Sequence, residues 1–353
     1  MPPSFDIYDQ ATLTALINEP VNTALENAPY LGSQIAPTIN TESRLARIDV
    51  GNTYSFGIGQ FKAPNAMAAL IDMPTVERRE QLIELVQLEE LHRINSEQWM
   101  KLRSSDDKIV RAEGLSIVDR GRIMRTRMER LTEKMRWDVF TTGFLHVVYP
   151  RTNSELVIDY GFLPGHKPVV AVAWTDLVNS DPIADLEAWQ QKVADDSGFL
   201  ATKIHITSQD AKLIVQNQKA KTYFNVPAGT PFRPSLDQIA ALLADGTEFV
   251  VHDAGWRPMA SGAARNEAAH TRYLPIGNVV LTTDYSIDGE NIAETVNGQV
   301  DISVDYNEAE PVMGPQNEVI LNQMEKNRYL REAAARMVRL PHVECFLSAT
   351  VRL

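Results

Sequence analysis

Apolar and small residues recur at intervals of three and four between residues 104 and 143: Val110, Gly114, Ile117, Gly121, Met124, Met128, Leu131 and Met135 form one line. That spacing predicts a single amphipathic helix, because residues three and four apart share a face at 3.6 residues per turn. Ser104, Ser105, Asp106 and Asp107 offer side-chain oxygens to its unpaired first amides, and Gly143 suits its C-terminal stop. Such a helix holds roughly 37 residues and spans on the order of 55 Å. A compact domain does not need one this long, so the pattern predicts a strut or a partner-facing element. Gly114 and Gly121 on its buried line leave room for another backbone.

On either side of this helix the period changes to two. "LARIDVGNTYSFGIGQF", from Leu45 to Phe61, alternates and predicts a hairpin ribbon with Ile48, Val50, Tyr54, Phe56, Ile58 and Phe61 on one side. "FLHVVYPRTNSELVIDYG" predicts a second hairpin, with Leu145, Val147 and Tyr149 on one limb and Leu156 and Ile158 on the other. "EQLIELVQLEELHRIN" stays open between helix and strand: its charge spacing favours a helix, while Ile83, Val86 and Ile94 are β-branched.

Further along, "SDPIADLEAWQQKVADDSG" predicts a capped helix with Pro182 in its first turn and Ile183, Leu186, Trp189 and Val193 on one side. "SQDAKLIVQNQKAKTYF" and a glycine-ended "PSLDQIAALLADG" predict two more. "ATKIHIT", "TEFVVHDAGWR", "GNVVLTTDY" and "VDISVDY" predict strands. The tail reads as a helix, "NEVILNQMEKNRYLREAAARMV", then a strand, "VECFLSATVRL". This is an α+β order without the regular alternation of a doubly wound sheet. Residues 1 to 40, with Pro2, Pro3, Pro20, Pro29 and Pro37, predict an extended arm.

Composition narrows the function. The 353 residues are 44% apolar and carry a formal charge of −12, enough chain for two structural regions. No apolar run approaches membrane-spanning length and the first residues carry no secretory pattern. One cysteine, Cys345, excludes internal disulfides and sits in an apolar run that predicts a buried, inert thiol. The chemistry is that of a cytosolic chain. The seven histidines show no metal-ligand spacing, and neither a phosphate loop nor a nucleophile elbow is present, so no cofactor and no metal are expected. His252-Asp253, at a strand end before a glycine turn, is a weak candidate for a hydrolytic dyad.

Arg120, Arg122, Arg125, Arg127, Arg130, Lys134 and Arg136 make the long helix basic within an acidic chain. A nucleic-acid reader gathers such cations on one face beside residues aimed at bases, but here they scatter, and Trp137 lies at the end. Two readings stay open: salt bridges between elements or subunits, which the surplus carboxylates favour, and a nucleic-acid-binding regulator using residues 120 to 136.

Taken in order, the proline-rich arm, the ribbon, the long helix ending "RWDVFTTG", the hairpin closing on "IDYG", "DPIADLEAW" and the terminal "RMVRLPHVECFLSATV" resemble the major capsid protein E family of tailed bacteriophages, of the phage lambda type. The resemblance covers residues from about 40 to the end. It implies the Johnson fold of phage and herpesvirus shells: arm 1–40, extension loop 41–96, peripheral domain 97–180 with the long helix as its spine, axial domain 181–312, and a return to the peripheral domain over 313–353. It favours the strand for "EQLIELVQLEELHRIN". It implies a non-enzymatic protein that self-assembles as hexamers and pentamers into an icosahedral procapsid, which expands as DNA enters. The implied location is the virion, with assembly in the host cytoplasm. Implied partners are other copies, a scaffolding protein, the portal and a decoration protein, with only weak non-specific DNA contact. Assembly contacts are expected at Tyr54, Phe56, Phe61, Lys62, Arg120, Arg127, Arg130 and Trp137. Some relatives crosslink subunits through an extension-loop lysine. Lys62 is the only lysine between residues 40 and 100, but the lambda-type branch is not expected to crosslink.

Overall fold

The computed structural model describes residues 30–50, 79–93, 95–102, 104, 106–149, 154–224, 232–256, 270–287, 289–300, 312–313, 319–322 and 329–352. A short turn of helix, α1 (Gly32–Ile35), leads into strand β1 (Thr38–Asn40). Strand β2 (Leu45–Val50) pairs antiparallel with β3 (Arg79–Glu84), Leu45 opposite Glu84 and Val50 opposite Arg79. The ribbon's return limb is therefore beyond residue 78, not within Leu45–Phe61. Tyr54, Phe56, Ile58, Phe61 and Lys62 lie outside the described residues. The stretch left open between helix and strand forms two strands: β3, ending at Glu84, is followed after Leu85 by β4 (Val86–Arg93).

After α2 (Ser96–Leu102), the long helix α3 runs over Asp107–Thr142, 36 residues. The Asp106 side chain accepts from the Lys108 amide at one end, and Gly143 adopts φ 71° at the other. A left-handed residue closes the last turn by bonding back to a free carbonyl, here Val139, and glycine alone does so without a steric cost. The expected stripe is buried at Gly114, Ile117, Gly121, Met124, Met128 and Met135, but Leu131 is 44% exposed. Thr132 takes the inward position instead: four residues from Met128 it keeps closer to the stripe than three, and its hydroxyl bonds back to the Met128 carbonyl. The hairpin follows as expected. β5 (Phe144–Tyr149) and β6 (Ser154–Asp159) pair with Leu145 opposite Ile158 and Val147 opposite Leu156.

The next elements are α4 (Pro182–Ser197), β7 (Lys203–Ile206), α5 (Ser208–Gln216), α6 (Gln218–Thr222), α7 (Leu236–Ala240), β8 (Glu248–Val251), β9 (Gly255–Trp256), β10 (Thr271–Arg272) and β11 (Asn278–Thr282). Ile183, Leu186, Trp189 and Val193 are buried on α4 as the spacing requires. The expected helix over 208–224 breaks at Asn217, whose backbone turns extended and whose side chain starts α6 by accepting from the Ala220 amide. The expected third helix is short as well: α7 ends at Ala240, before the left-handed Gly246.

The chain closes with β12 (Ser286–Ile287), β13 (Glu290–Asn291), β14 (Glu294–Gly298), β15 (Val312–Met313), β16 (Val319–Asn322), β17 (Tyr329–Arg339), a 3-10 turn over Val343–Cys345, and β18 (Phe346–Thr350). Most of "VDISVDY" lies outside the described residues. The expected tail helix is wrong: its described parts are β16 and β17. Alanine, arginine and methionine favour a helix locally. Tertiary pairing overrides this, because β17 bonds along β4 from Tyr329 to Arg336 on one edge and along β16 and then β14 on the other. Ala333, Ala334 and Ala335 are buried, and their methyl groups let the layers beside this strand come close.

Among the described residues, two larger sheets accompany four two-stranded ones, and two cores result. The larger sheet joins β1, β14, β17, β16 and β15, with β4 on the other side of β17. It shares a core with α3 and the β5–β6 hairpin. The smaller sheet has the order β18-β11-β7-β8. Its inward residues alternate: Ile204, Ile206, Val279, Leu281, Leu347 and Ala349 join α4, α5 and α7 in the second core. Val280 and Phe346 belong to the first core, on the face turned to α3.

Candidate functional site: assembly surfaces

The β2–β3 ribbon forms its own two-stranded sheet, and among the described residues neither limb has a further strand partner. Its two faces differ. Ala46 is buried at the ribbon's root, and Leu85 just beyond it sits in the core, while Leu45 and Leu82 on the opposite face are 47% and 67% exposed. A two-stranded sheet is marginal alone in water, and exposed leucines add an apolar surface that a partner would cover.

The basic helix face is already engaged within the chain. Arg120 Nη1 donates to His92 Nε2 at 2.5 Å, and burial together with Arg120 holds that imidazole below its usual range. Arg127 Nε pairs with Glu90 Oε1 at 3.0 Å, tying α3 to β4. Arg122 reaches Asp119 at 3.8 Å, Lys134 binds Asp138, and Arg130 hydrogen-bonds the Tyr30 side chain. Arg336 comes the other way, from β17, to Glu129 at 2.8 Å and Thr132 at 3.0 Å. The inter-element salt-bridge reading is the one the geometry supports. Arg127 and Arg130 remain exposed on the helix.

At the C-terminal end of α3 a buried polar cluster locks the start of the described chain. The Glu133 carboxylate accepts from the Gly32 amide at 2.7 Å, the Trp137 indole at 2.9 Å and Arg136 Nη1 at 3.1 Å. Arg136 also donates to Thr295 Oγ1 at 2.8 Å and Thr38 Oγ1 at 3.3 Å. Burial raises the Glu133 carboxyl above the usual range, and these donors only partly offset it. Trp137 lies in the core, 1% exposed, and holds elements of one chain together. Glu133 and Arg136 as an anchor escaped the sequence reading, although Glu133, Arg136 and Trp137 at i, i+3 and i+4 on an otherwise apolar face were a usable signal.

The weak hydrolytic dyad is not assembled. His252 faces His205, Nε2 to Nδ1 at 3.0 Å, and not Asp253. Burial alone would raise the Asp253 carboxyl, but Ser208 and Arg272 outweigh it and hold it below the usual range. Cys345 is buried and its thiol is pushed up to about 12 by that burial, as expected of an inert core thiol. Among the described residues, no group of three or more histidine, cysteine and carboxylate side chains is placed to hold a metal. No described helix is long and apolar enough to cross a membrane.

A family model described as phage major capsid protein E matches residues 64–316, more than half of the chain. The chain belongs to that family. Two solved structures share its fold. A putative capsid protein of a prophage from E. coli CFT073 is 11% identical, covering 97% of this chain and 98% of its own, with a TM-score of 0.56. A phage-related protein from Bordetella bronchiseptica RB50 is 13% identical, with 96% of both chains covered and a TM-score of 0.53. No curated protein matches the chain.

This capsid subunit therefore has the α+β Johnson fold expected from its sequence, and it is a shell-forming protein of the virion that assembles with other copies. The nucleic-acid regulator is not favoured. A shell-forming role is consistent with a protein that is not an enzyme.

Proposed function

We propose that this chain is the repeating subunit of an icosahedral procapsid, clustering as hexamers and pentamers and expanding as double-stranded DNA enters. The observation that carries this reading is the ribbon root, where Leu45 and Leu82 face solvent on a two-stranded sheet. Closed shells need each subunit to bury area against several copies at once, and projecting elements supply that area. In this reading residues 1–40 form the arm, 41–96 the extension loop, 97–180 the peripheral domain, 181–312 the axial domain and 313–353 the return. The pairing of β14 with β17, and of β18 with β11, interleaves these segments. Tyr54, Phe56, Phe61, Lys62, Arg120, Arg127 and Arg130 are the contacts between subunits, without a covalent bond through Lys62. Assembly proceeds in the host cytoplasm with a scaffolding protein, a portal and a decoration protein. Packaged DNA is touched only weakly, which the formal charge of −12 supports.

Electron microscopy and sedimentation of the purified chain, from dilute to crowded and from low to high salt, test the proposal. Rings of five or six subunits, or closed particles, are expected. Leu82→Asp should abolish them while leaving the circular dichroism spectrum unchanged. A compact monomer under every condition would sink the reading.

A further inference from the structure

The two cores meet at a polar spot on the α3-facing side of the smaller sheet. His205 on β7, His252 just after β8 and Thr282 on β11 stand together there, on three neighbouring strands. His205 is fully buried, with Nδ1 3.0 Å from His252 Nε2 and Nε2 3.2 Å from Thr282 Oγ1. Trp137 of α3 meets His252 edge-on, ring centres 4.5 Å apart, and Tyr285 stacks on His205 at 6.1 Å. Two imidazoles joined in this way share a single hydrogen-bonding proton, one ring donating and the other accepting. One further proton leaves this bond in place, as imidazolium to imidazole, but puts a full charge on a pair that is buried from water.

The surroundings offer an imidazolium little compensation. On the sheet side, Lys203 carries the same sign as a charged His205, and the Asp253 carboxylate favours a charge on His252 but is shared with Arg272 and the Ser208 amide and is outweighed by burial. Tyr285 is neutral in this range, as an ordinary phenol is, and burial raises it further. On the helix side, Glu133 is bound to Arg136, the Gly32 amide and the Trp137 indole. Burial holds His252 at about 4, and burial and His252 hold His205 well below its usual range. A second contact between helix and sheet lies nearby and has no titrating partner. Phe140 stacks on Phe346 with ring centres 5.4 Å apart, and Ser348 Oγ donates to the Thr141 carbonyl at 2.7 Å.

We propose that the His205–His252 pair is a proton-sensitive latch holding the smaller sheet against the long helix. When it is protonated the β8 edge of the sheet, where His252 lies, moves off Trp137, while the Phe140–Phe346 contact at the opposite edge stays packed. The latch is closed at neutral pH and opens in mild acid. It stands on the packing within one subunit and does not depend on shell assembly.

Trp137 emission, taken as the difference between the full chain and its Trp137→Phe variant, reads the latch, while far-UV circular dichroism reads the cores. Acidification from pH 7 should change the Trp137 signal reversibly with a midpoint near pH 4, at unchanged ellipticity. His252→Gln keeps hydrogen-bonding capacity without titrating, and should move that midpoint by about one pH unit or more. If His252→Gln does not fold, His205→Gln takes its place. NMR of imidazole-labelled protein follows the rings of the unsubstituted chain directly. The proposal is overturned if Trp137 emission and ellipticity are lost together, if neither variant moves the midpoint, or if neither ring titrates before unfolding.

Discussion

Replacing Arg136 by methionine puts the anchor of the N-terminal segment to a quantitative test. Methionine fills similar space but donates nothing, so Glu133, fully buried, keeps only the Gly32 amide and the Trp137 indole. Removing one partner of a buried ion pair costs about 3–5 kcal/mol, because the charge left behind has neither water nor a counterion. Thr295 and Thr38 each lose a donor as well, adding about 1 kcal/mol. The sum, roughly 4–6 kcal/mol, compares with a total stability of about 5–15 kcal/mol for a typical domain. The geometry also fixes the sign of a second change. Gly32 and Trp137 both donate to Oε1 of Glu133, whereas Arg136 donates to Oε2. Glu133→Gln in the Arg136→Met background removes the stranded charge and keeps an acceptor for both remaining donors. The double variant should therefore be more stable than Arg136→Met alone, by about 2 kcal/mol. Urea unfolding of the dilute, unassembled chain at pH 7, followed by tryptophan emission and ellipticity, measures both. A loss below about 1 kcal/mol for Arg136→Met, or no recovery in the double variant, would refute the assignment of this carboxylate as a compensated buried charge.

Three further outcomes follow from the same structure. His252 is held at about 4 when folded against about 6.5 unfolded, so between these values the unfolded chain binds more protons. Its share of stability is present above 6.5 and falls by about 3 kcal/mol as pH drops to 4; urea midpoints of His252→Gln should show a correspondingly shallower slope than the parent chain. Gly143→Ala forces a left-handed conformation on alanine and brings its methyl to 3.0 Å of the Phe162 ring, costing about 1–2 kcal/mol in thermal or urea unfolding. With its helix arginines engaged internally, the chain should bind duplex DNA only at low salt and without sequence preference; tight retention at physiological salt in a filter assay would contradict that.

Elements whose stability is local were legible in the sequence. The long helix, its Asp106 cap and Gly143 stop, the second hairpin with its facing residues, and α4 with Pro182 all follow from periodicity and end chemistry. Those that depend on distant partners were not. "REAAARMVR" carries helical propensity and becomes a central strand because β4, β14 and β16 bond to it from far along the chain. The open stretch 80–95 was undecidable by period because its first part pairs with β2 in the ribbon and its second part with β17 in the larger sheet. Leu131 was placed inward by spacing alone, which cannot know that Arg336 would need Thr132 at the buried position. His205 and His252 are 47 residues apart, and only sheet order brings them together.

The arrangement of α3 also explains why a basic helix suits an acidic subunit. A helix covered on most sides would ordinarily be apolar all round. The C-terminal half of α3 is covered in this way, yet it buries Thr132, Glu133 and Arg136 among Met135, Trp137, Val139 and Phe140. Arginine makes this feasible, because one planar group can satisfy several acceptors on different elements, as Arg136 does with Glu133, Thr38 and Thr295. Each such bond fixes a direction as well as a distance, so segments that are remote in sequence are held in set positions against the helix. The N-terminal half differs: Ile109, Leu115 and Ile123 are exposed there, with no comparable polar cluster behind them among the described residues. One end of the helix thus defines the subunit and the other presents apolar surface outward. A rigid element with that division suits a protein whose neighbours are copies of itself, since the internal anchoring does not depend on what lies against the exposed end.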